Sequence, residues 1–108
     1  MSLGTLGKQT VAAGGTPQQL SLTTLNCKGF FIQAVLGNTH DIYIGNKNMV
    51  TTTLAGTFRV IPAPAAASGA TVLLPSWDVI TDLAGPFDLS AMYLDGTTGE
   101  SVLVSYVI

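Results

Sequence analysis

The strongest constraint on the fold of this chain is the stretch formed by residues 27–45. Two runs rich in β-branched and aromatic residues, at 30–35 and 42–44, flank the connector Gly-Asn-Thr-His-Asp at residues 37–41. This pattern predicts a β-hairpin, because such side chains favour extended backbone and the connector favours a turn. Successive side chains of the first run alternate between two faces, with Phe30, Ile32 and Ala34 on one and Phe31, Gln33 and Val35 on the other. Since both runs carry apolar residues on both faces, we expect two central strands that are covered on each side.

The rest of the chain repeats this alternation of short apolar runs and turns. Further strands are predicted at residues 9–13, 18–22, 57–61, 70–74, 91–94 and 100–108. Turn-forming residues separate them, chiefly at 14–17, 46–48 and 95–99. Short strands at such regular spacing are typical of sandwiches and jelly rolls. We therefore predict an all-β fold: an antiparallel two-sheet sandwich, jelly-roll-like, with about eight short strands.

Three segments lack this clear alternation. Residues 1–7 are small and contain glycine, so they form either an N-terminal arm or the start of the first strand, and residues 8–108 form a single β-sandwich domain. The run Pro-Ala-Pro-Ala-Ala-Ala-Ser-Gly-Ala at 62–70 predicts an extended surface loop, since its prolines and glycine bracket the alanines too closely for a helix. Residues 76–82 favour a single helical turn that Ser76 would cap.

Charge is scarce in this chain. Only 9% of the residues are charged, against about 25% in an ordinary globular domain. The four basic residues lie singly and the net charge is −2, so no basic patch is available and no nucleic acid is expected as a partner. The sequence has no signal-peptide pattern and no apolar run of about 18 residues, so no membrane association is expected. A surface this poor in charge favours a protein that is partly covered by copies of itself or by a partner.

Residues suited to catalysis or metal binding are few. His40 is the only histidine and Cys27 the only cysteine, too few for a zinc site, and Cys27 is expected to be a buried small hydrophobe. Asp78, Asp82 and Asp88 do not have the spacing of an EF-hand loop, so turn capping is their favoured role. The chain also lacks a Gly-x-Ser-x-Gly motif. We predict a protein that is not an enzyme and that needs no metal or organic cofactor.

The C-terminal strand predicted at 100–108 is apolar on both faces. Val102, Val104, Tyr106 and Ile108 share one face, and Leu103 and Val107 lie on the other. Such a strand should be central or lie at a subunit interface, since alone it would expose an apolar patch. The candidate interface residues are Leu3, Leu6, Pro62, Pro64, Trp77, Leu103 and Val107. For Trp77, the sole tryptophan, three roles stay open: pinning a loop to the sandwich, anchoring an interface, or stacking on a sugar.

Eight short motifs are spread along the chain: TPQQL at 16–20, CK at 27–28, FIQA at 31–34, NT at 38–39, IYIG at 42–45, DLS at 88–90, MYLDG at 92–96 and VLVSY at 102–106. Together they resemble the motifs of one known family, the small β-sandwich virion structural proteins of tailed bacteriophages. The resemblance covers most of residues 9–108, and the longer segment at 62–87 departs from it. It implies a head decoration (cement) protein or the base of a head fibre, with a tail or adaptor component as the alternative.

The resemblance also implies partners and a location. A cement protein would bind copies of itself and the major capsid protein at the capsid surface of the virion, after synthesis in the host cytoplasm. We expect a homotrimer, because three copies around an axis would cover an apolar patch and closed symmetry would stop further growth. Residues 1–7 and 62–87 would reach the shell or a neighbouring copy. From a different class of protein, a carbohydrate-binding jelly-roll module that uses Trp77 is a further alternative.

Overall fold

The chain folds almost entirely into β-strands. In the computed structural model, residues 3–66, 73–74, 77–81 and 87–108 are described. The strands are β1 (Leu3–Thr10), β2 (Gln18–Gln19), β3 (Asn26–Cys27), β4 (Gly29–Ala34), β5 (Ile42–Val50), β6 (Ala55–Ile61), β7 (Ala65–Ala66), β8 (Leu73–Leu74), β9 (Trp77–Thr81), β10 (Phe87–Asp88), β11 (Tyr93–Asp95) and β12 (Ser101–Val107). One 3₁₀ turn, Leu89–Ala91, lies between β10 and β11. The predicted all-β class is confirmed. Within the described ranges, no helix is long and apolar enough to cross a membrane.

Eight of these strands form two four-stranded sheets. Sheet I has the order β1-β12-β4-β9, and sheet II has the order β2-β11-β5-β6. The antiparallel pairs are nested: β1 pairs with β12, β2 with β11, β4 with β9, and β5 with β6. Nested pairing of eight strands across two sheets is the arrangement of a jelly roll. The predicted jelly-roll-like antiparallel sandwich of two sheets is therefore confirmed.

The hairpin predicted at residues 27–45 is wrong. β4 lies in sheet I and β5 in sheet II, so the two strands do not pair with each other. The connector crosses between the sheets, and Asn38 ties it to β12: its side-chain amide donates to the Ser101 carbonyl at 2.7 Å and accepts from the Ser101 amide at 3.0 Å. Both strands are nevertheless central in their sheets, as predicted. Turn residues show where a chain bends, but the ladder that a strand joins depends on residues far away in sequence.

The core lies between the inward faces of the two sheets. Its fully buried members are Val11, Leu20, Cys27, Phe30, Ile32, Ala34, Ile42, Ile44, Ile61, Leu89, Leu94, Val102 and Val104. In β4, Phe30, Ile32 and Ala34 share one face, as predicted, and the structure shows that this face points inward. The Phe30 ring meets Phe87 edge-on at 5.8 Å between centroids. Burial of each large apolar side chain stabilises the fold by about 1.5–3 kcal/mol. Cys27 is buried, which confirms its predicted role as a small hydrophobe.

Three local predictions need correction. From Leu3 onward, residues 1–7 belong to β1, which pairs along β12 from Leu3 to Thr10, so the strand alternative holds rather than the arm. The turn predicted at 46–48 is absent from that position, since β5 continues to Val50 and the chain turns at 51–54 instead. The helical turn predicted at 76–82 is wrong, because Trp77–Thr81 forms β9 and pairs with β4. Pairing with a central strand outweighs the weak preference of so short a segment for helix.

Candidate self-association surface

The outward side of sheet I carries exposed apolar residues from three neighbouring strands. Leu3 in β1 is 78% exposed, Phe31 in β4 is 43% exposed and Leu103 in β12 is 44% exposed, while Val107 is half-buried. The strand register aligns them in rows across the sheet: Leu3 faces Val107, and Ser105 lies between Thr5 and Phe31. We call this side the outer face of sheet I. It brings together residues that are up to 104 positions apart in the sequence.

The two-residue period of a β-strand creates this face. In β12, Val102 and Val104 point into the core, so the intervening Leu103, Ser105 and Val107 point outward. In β4, the buried Ile32 likewise leaves Phe31 on the opposite side. Because β12 and β4 are the two central strands of the sheet, their outward residues occupy the middle of the face.

A shallow groove marks the β1 side of this face. It encloses about 450 Å³ and is lined by Leu3, Gly4, Thr5, Phe31 and Ser105. A side chain at Gly4 would collide with the ring of Tyr106, its register partner on β12. Gly4 therefore allows Tyr106 to lie across β1 and close the edge of the core.

The outer face of sheet I has little charge to desolvate. Of its residues on β1, β4 and β12, Lys8 alone is charged, and Thr5, Ser105 and Gln33 are neutral. Charged groups are expensive to bury without a partner, whereas hydroxyls and amides need only a hydrogen bond. A second protein surface could therefore cover most of this face without first stripping water from charges.

The structure places the predicted interface residues in different parts of the fold. Leu3, Leu103 and Val107 lie together on the outer face of sheet I. Trp77 occupies the register position on β9 beside Gln33, in the same row as Leu103. The side chain of Trp77 is outside the described part of the structure.

The other three candidates lie elsewhere. Leu6 packs against the core at the irregularity in β1. Pro62 is exposed just beyond β6 in sheet II, and Pro64 is buried within the chain, so its side chain is not available to a partner. Phe31 was missed as a candidate because its face was expected to be covered. The signal was present in the alternation, which placed Phe31 opposite the three core residues of β4.

The only histidine of the chain, His40, is hydrogen-bonded to its only glutamate, Glu100. The largely buried Glu100 carboxylate accepts hydrogen bonds from the Thr39 amide at 3.0 Å, the His40 amide at 3.1 Å and His40 Nδ1 at 2.9 Å. Burial would raise the pKa of Glu100, but the hydrogen bonds from His40 and Thr39 outweigh it and lower that pKa. Sequence reasoning missed this pair, since 60 residues separate its members.

Asp88 has the predicted turn-capping role. Its carboxylate accepts from the Ser90 amide at 2.9 Å and the Ser90 hydroxyl at 2.8 Å, and the pKa of Asp88 is lowered by these bonds and by one from the Leu25 amide. Asp78 lies in β9 without a described side chain, and Asp82 lies outside the described residues. In the described ranges, no group of three or more His, Cys, Asp or Glu side chains could hold a metal ion.

Comparison with known proteins adds no relative. No family model, no curated protein and no solved structure matches this chain. A function therefore has to be inferred from the residues, the jelly-roll fold and the surfaces described above.

Proposed function

We propose that this protein is a non-enzymatic structural subunit that assembles with copies of itself through the outer face of sheet I, on the outside of a phage head. The observation that carries the proposal is the grouping of Leu3, Phe31, Leu103 and Val107 on that face, with little charge around them. The trimer expected from the sequence fits this geometry. Three copies with this face turned toward a shared axis would cover its apolar residues, and closed symmetry would prevent growth into fibres.

The size of the face indicates how strong such an assembly would be. Four strands about 4.8 Å apart and about 20 Å long cover roughly 400 Å². A stable protein–protein interface takes about 800 Å² from each partner, so this face supplies about half of one. We therefore expect the free trimer to be weak and to gain stability on the capsid, where contacts with the major capsid protein add buried area.

Two further arguments support a virion role. The eight motifs at residues 16–106 resemble small β-sandwich virion proteins of tailed phages. Jelly rolls also recur in viral capsid domains, although the same fold serves lectins and enzymes. The scarcity of charge, 9% of residues, agrees with a protein whose surface is partly covered in its working state.

The test is to place a charge in the middle of the outer face of sheet I. We expect the wild-type chain to associate in light scattering and sedimentation and to bind undecorated heads. Leu103→Glu should weaken self-association at least about tenfold, because three carboxylates would be buried near one axis. The matched control is Leu22→Glu, which adds the same charge at a loop residue that is 87% exposed and belongs to none of the strands of sheet I.

Other outcomes favour the alternatives. An oligomer that leaves heads bare would favour a tail or adaptor component. A stable monomer that leaves heads bare would overturn the decoration proposal and favour a carbohydrate-binding module. Equal loss of association in Leu22→Glu and Leu103→Glu would remove the outer face of sheet I as the contact surface.

A further inference from the structure

A polar cleft opens beside the start of β5, on the sheet II side of the molecule. It encloses about 410 Å³, within the range of about 300–1,000 Å³ that small-molecule sites occupy. Its walls come from the connector before β5, from β5 itself, from the turn after β5 and from the connector after β11. They carry the side chains of His40, Asp41, Tyr43, Thr51 and Thr97.

Hydrogen bonds hold the connector before β5, which forms one wall of the cleft, in place before any ligand binds. Glu100 accepts the backbone amides of Thr39 and His40 and also the His40 ring nitrogen Nδ1. Asp41 is oriented by the Ala63 amide, which donates to its Oδ1 at 3.1 Å. A wall held by these four hydrogen bonds loses little conformational entropy when a ligand binds, and this favours affinity.

Close backbone packing forms the floor of the cleft. A side chain at Gly96 would come within 3.0 Å of Ile42 Cδ1 and 3.3 Å of the Asp41 carbonyl oxygen. Glycine at this position therefore lets the connector after β11 approach the start of β5 closely. The neighbouring Asp95 is buried and caps this connector by accepting from the Gly96 amide at 2.7 Å.

The charges of the cleft exclude two classes of ligand. Among the described residues that line it, none is Lys or Arg, while Asp41 is acidic and Glu100 lies directly behind His40. A phosphate or carboxylate would meet this negative charge without a cation to pair with. The described residues also offer no cluster of three metal-binding side chains here. A neutral ligand fits best.

The remaining groups match a ligand with many hydroxyls. The side chains of Thr51 and Thr97 make no hydrogen bond to other described residues, so each hydroxyl is available both to donate and to accept. Asp41 adds acceptor capacity, and the half-buried Tyr43 adds an aromatic surface. A sugar ring combines an apolar face of C–H groups with a rim of hydroxyls, and this is the complement of such a lining. We propose that this cleft binds one neutral sugar ring of a glycan.

This site is separate from the proposed self-association surface. Tyr43 lies between the buried Ile42 and Ile44, so its side chain is on the outward side of sheet II, whereas Leu103 is on the outward side of sheet I. Trp77 is not among the described residues that line the site, and the site does not depend on a virion location. A test on the isolated chain can therefore fail or succeed independently of the assembly experiment.

The experiment is an NMR titration of the ¹⁵N-labelled full chain with the methyl glycosides of glucose, galactose, mannose and N-acetylglucosamine, each to about 50 mM, a concentration that detects dissociation constants in the millimolar range. We expect at least one sugar to shift the amides of residues 39–43, 51 and 96–97. Tyr43→Leu and Thr51→Ala should each weaken binding by about three- to tenfold. Thr52→Ala, one residue along and exposed, is the matched control and should bind as the wild type does.

Three results would overturn the proposal. The first is that none of the four sugars shifts these amides. The second is that Thr51→Ala and Thr52→Ala bind the sugar with equal affinity. This comparison holds even if Tyr43→Leu fails to fold, and the NMR spectrum of Tyr43→Leu would show that failure directly. The third is that inorganic phosphate shifts the same amides more strongly than any sugar, which would indicate an anion site.

Discussion

At the scale of single residues, Glu100 joins parts of the chain that are about 60 residues apart in the sequence. It lies just before β12 and holds Thr39 and His40, which belong to the connector that crosses from sheet I to sheet II. The largely buried Glu100 carboxylate accepts hydrogen bonds from four neighbouring donors, which offset the cost of removing it from water. Burying an unpaired carboxylate at that position would be costly.

The hydrogen bonds that Glu100 accepts from Thr39 and His40 give a prediction about stability at acidic pH. The hydrogen bonds hold the folded-state pKa of Glu100 below its ordinary value of 4.5. A lowered folded-state pKa contributes stability at pH above the unfolded-state value, and that contribution is lost as the pH falls through the folded-state value. We expect Glu100→Gln to be less stable than the wild type by about 1–2 kcal/mol at neutral pH, through loss of charge-assisted hydrogen bonds.

Urea unfolding at about pH 7 and pH 3 measures this effect. The difference between Glu100→Gln and the wild type should shrink at the lower pH, because the wild-type carboxylate is then being protonated. His40→Gln is a control that removes one donor and keeps the backbone bonds, so it should cost less. A Glu100→Gln deficit of the same size at both pH values would contradict the prediction.

At the scale of elements, the pairing of β5 with β6 depends on a close backbone approach at Gly45. A side chain there would collide with the Gly56 carbonyl oxygen and come within 2.9 Å of Thr57 Cα and 3.0 Å of Met49 Sδ. The first two are backbone atoms and cannot rotate away. The register of the β5–β6 pair also shifts on each side of Gly45, so this glycine marks the bend of the ladder.

We therefore expect Gly45→Ala to destabilise the fold by about 1–3 kcal/mol, as overpacking of an interior commonly does. Gly37→Ala is the matched control, because nothing lies within 4 Å of the position its side chain would take. It should change the free energy of unfolding by less than about 0.5 kcal/mol. Chemical denaturation followed by far-UV circular dichroism compares the two. Equal stability of both variants would show that β6 can move away without cost.

At the scale of the whole molecule, the nested pairing of a jelly roll joins the two ends of the chain. β1 pairs with β12 in sheet I, so the outer face of sheet I combines Leu3 near the start with Leu103 and Val107 near the end. The same sandwich puts the polar cleft on the opposite side, outward from sheet II. One small fold thus presents an apolar surface and a polar cleft on two separate sides.

The proposed assembly should respond to salt in a way that reflects its low charge. Association driven by Leu3, Phe31 and Leu103 should change by less than about twofold between about 0.05 and 0.5 M NaCl, because screening acts on charge pairs and few are available. Sulfate should strengthen it, since excluded salts favour apolar burial. Sedimentation velocity at matched protein concentrations measures both. A steep loss of association with added NaCl would indicate a contact through charges instead.

The sequence by itself determined the class of fold and much of the pattern within strands. Alternation placed Phe30, Ile32 and Ala34 on one face, because successive side chains of a strand point to opposite sides. Apolar residues on both faces identified β4 and β5 as central strands, and β12 as either central or at an interface. It also named Leu3, Leu103 and Val107 as interface candidates. Turn chemistry gave the capping role of Asp88, since the bonds involved are local.

Only the tertiary structure decided which strands pair and which polar groups meet. The hairpin predicted at 27–45 failed because β4 and β5 do not pair with each other: β4 pairs with β9 and β12, and β5 pairs with β6 and β11. The contact between Glu100 and His40 and the lining of the polar cleft likewise depend on pairing between strands that are distant in sequence. Local preferences fix backbone shape, but long-range pairing is decided by the burial of a shared core, which no short stretch of sequence encodes alone.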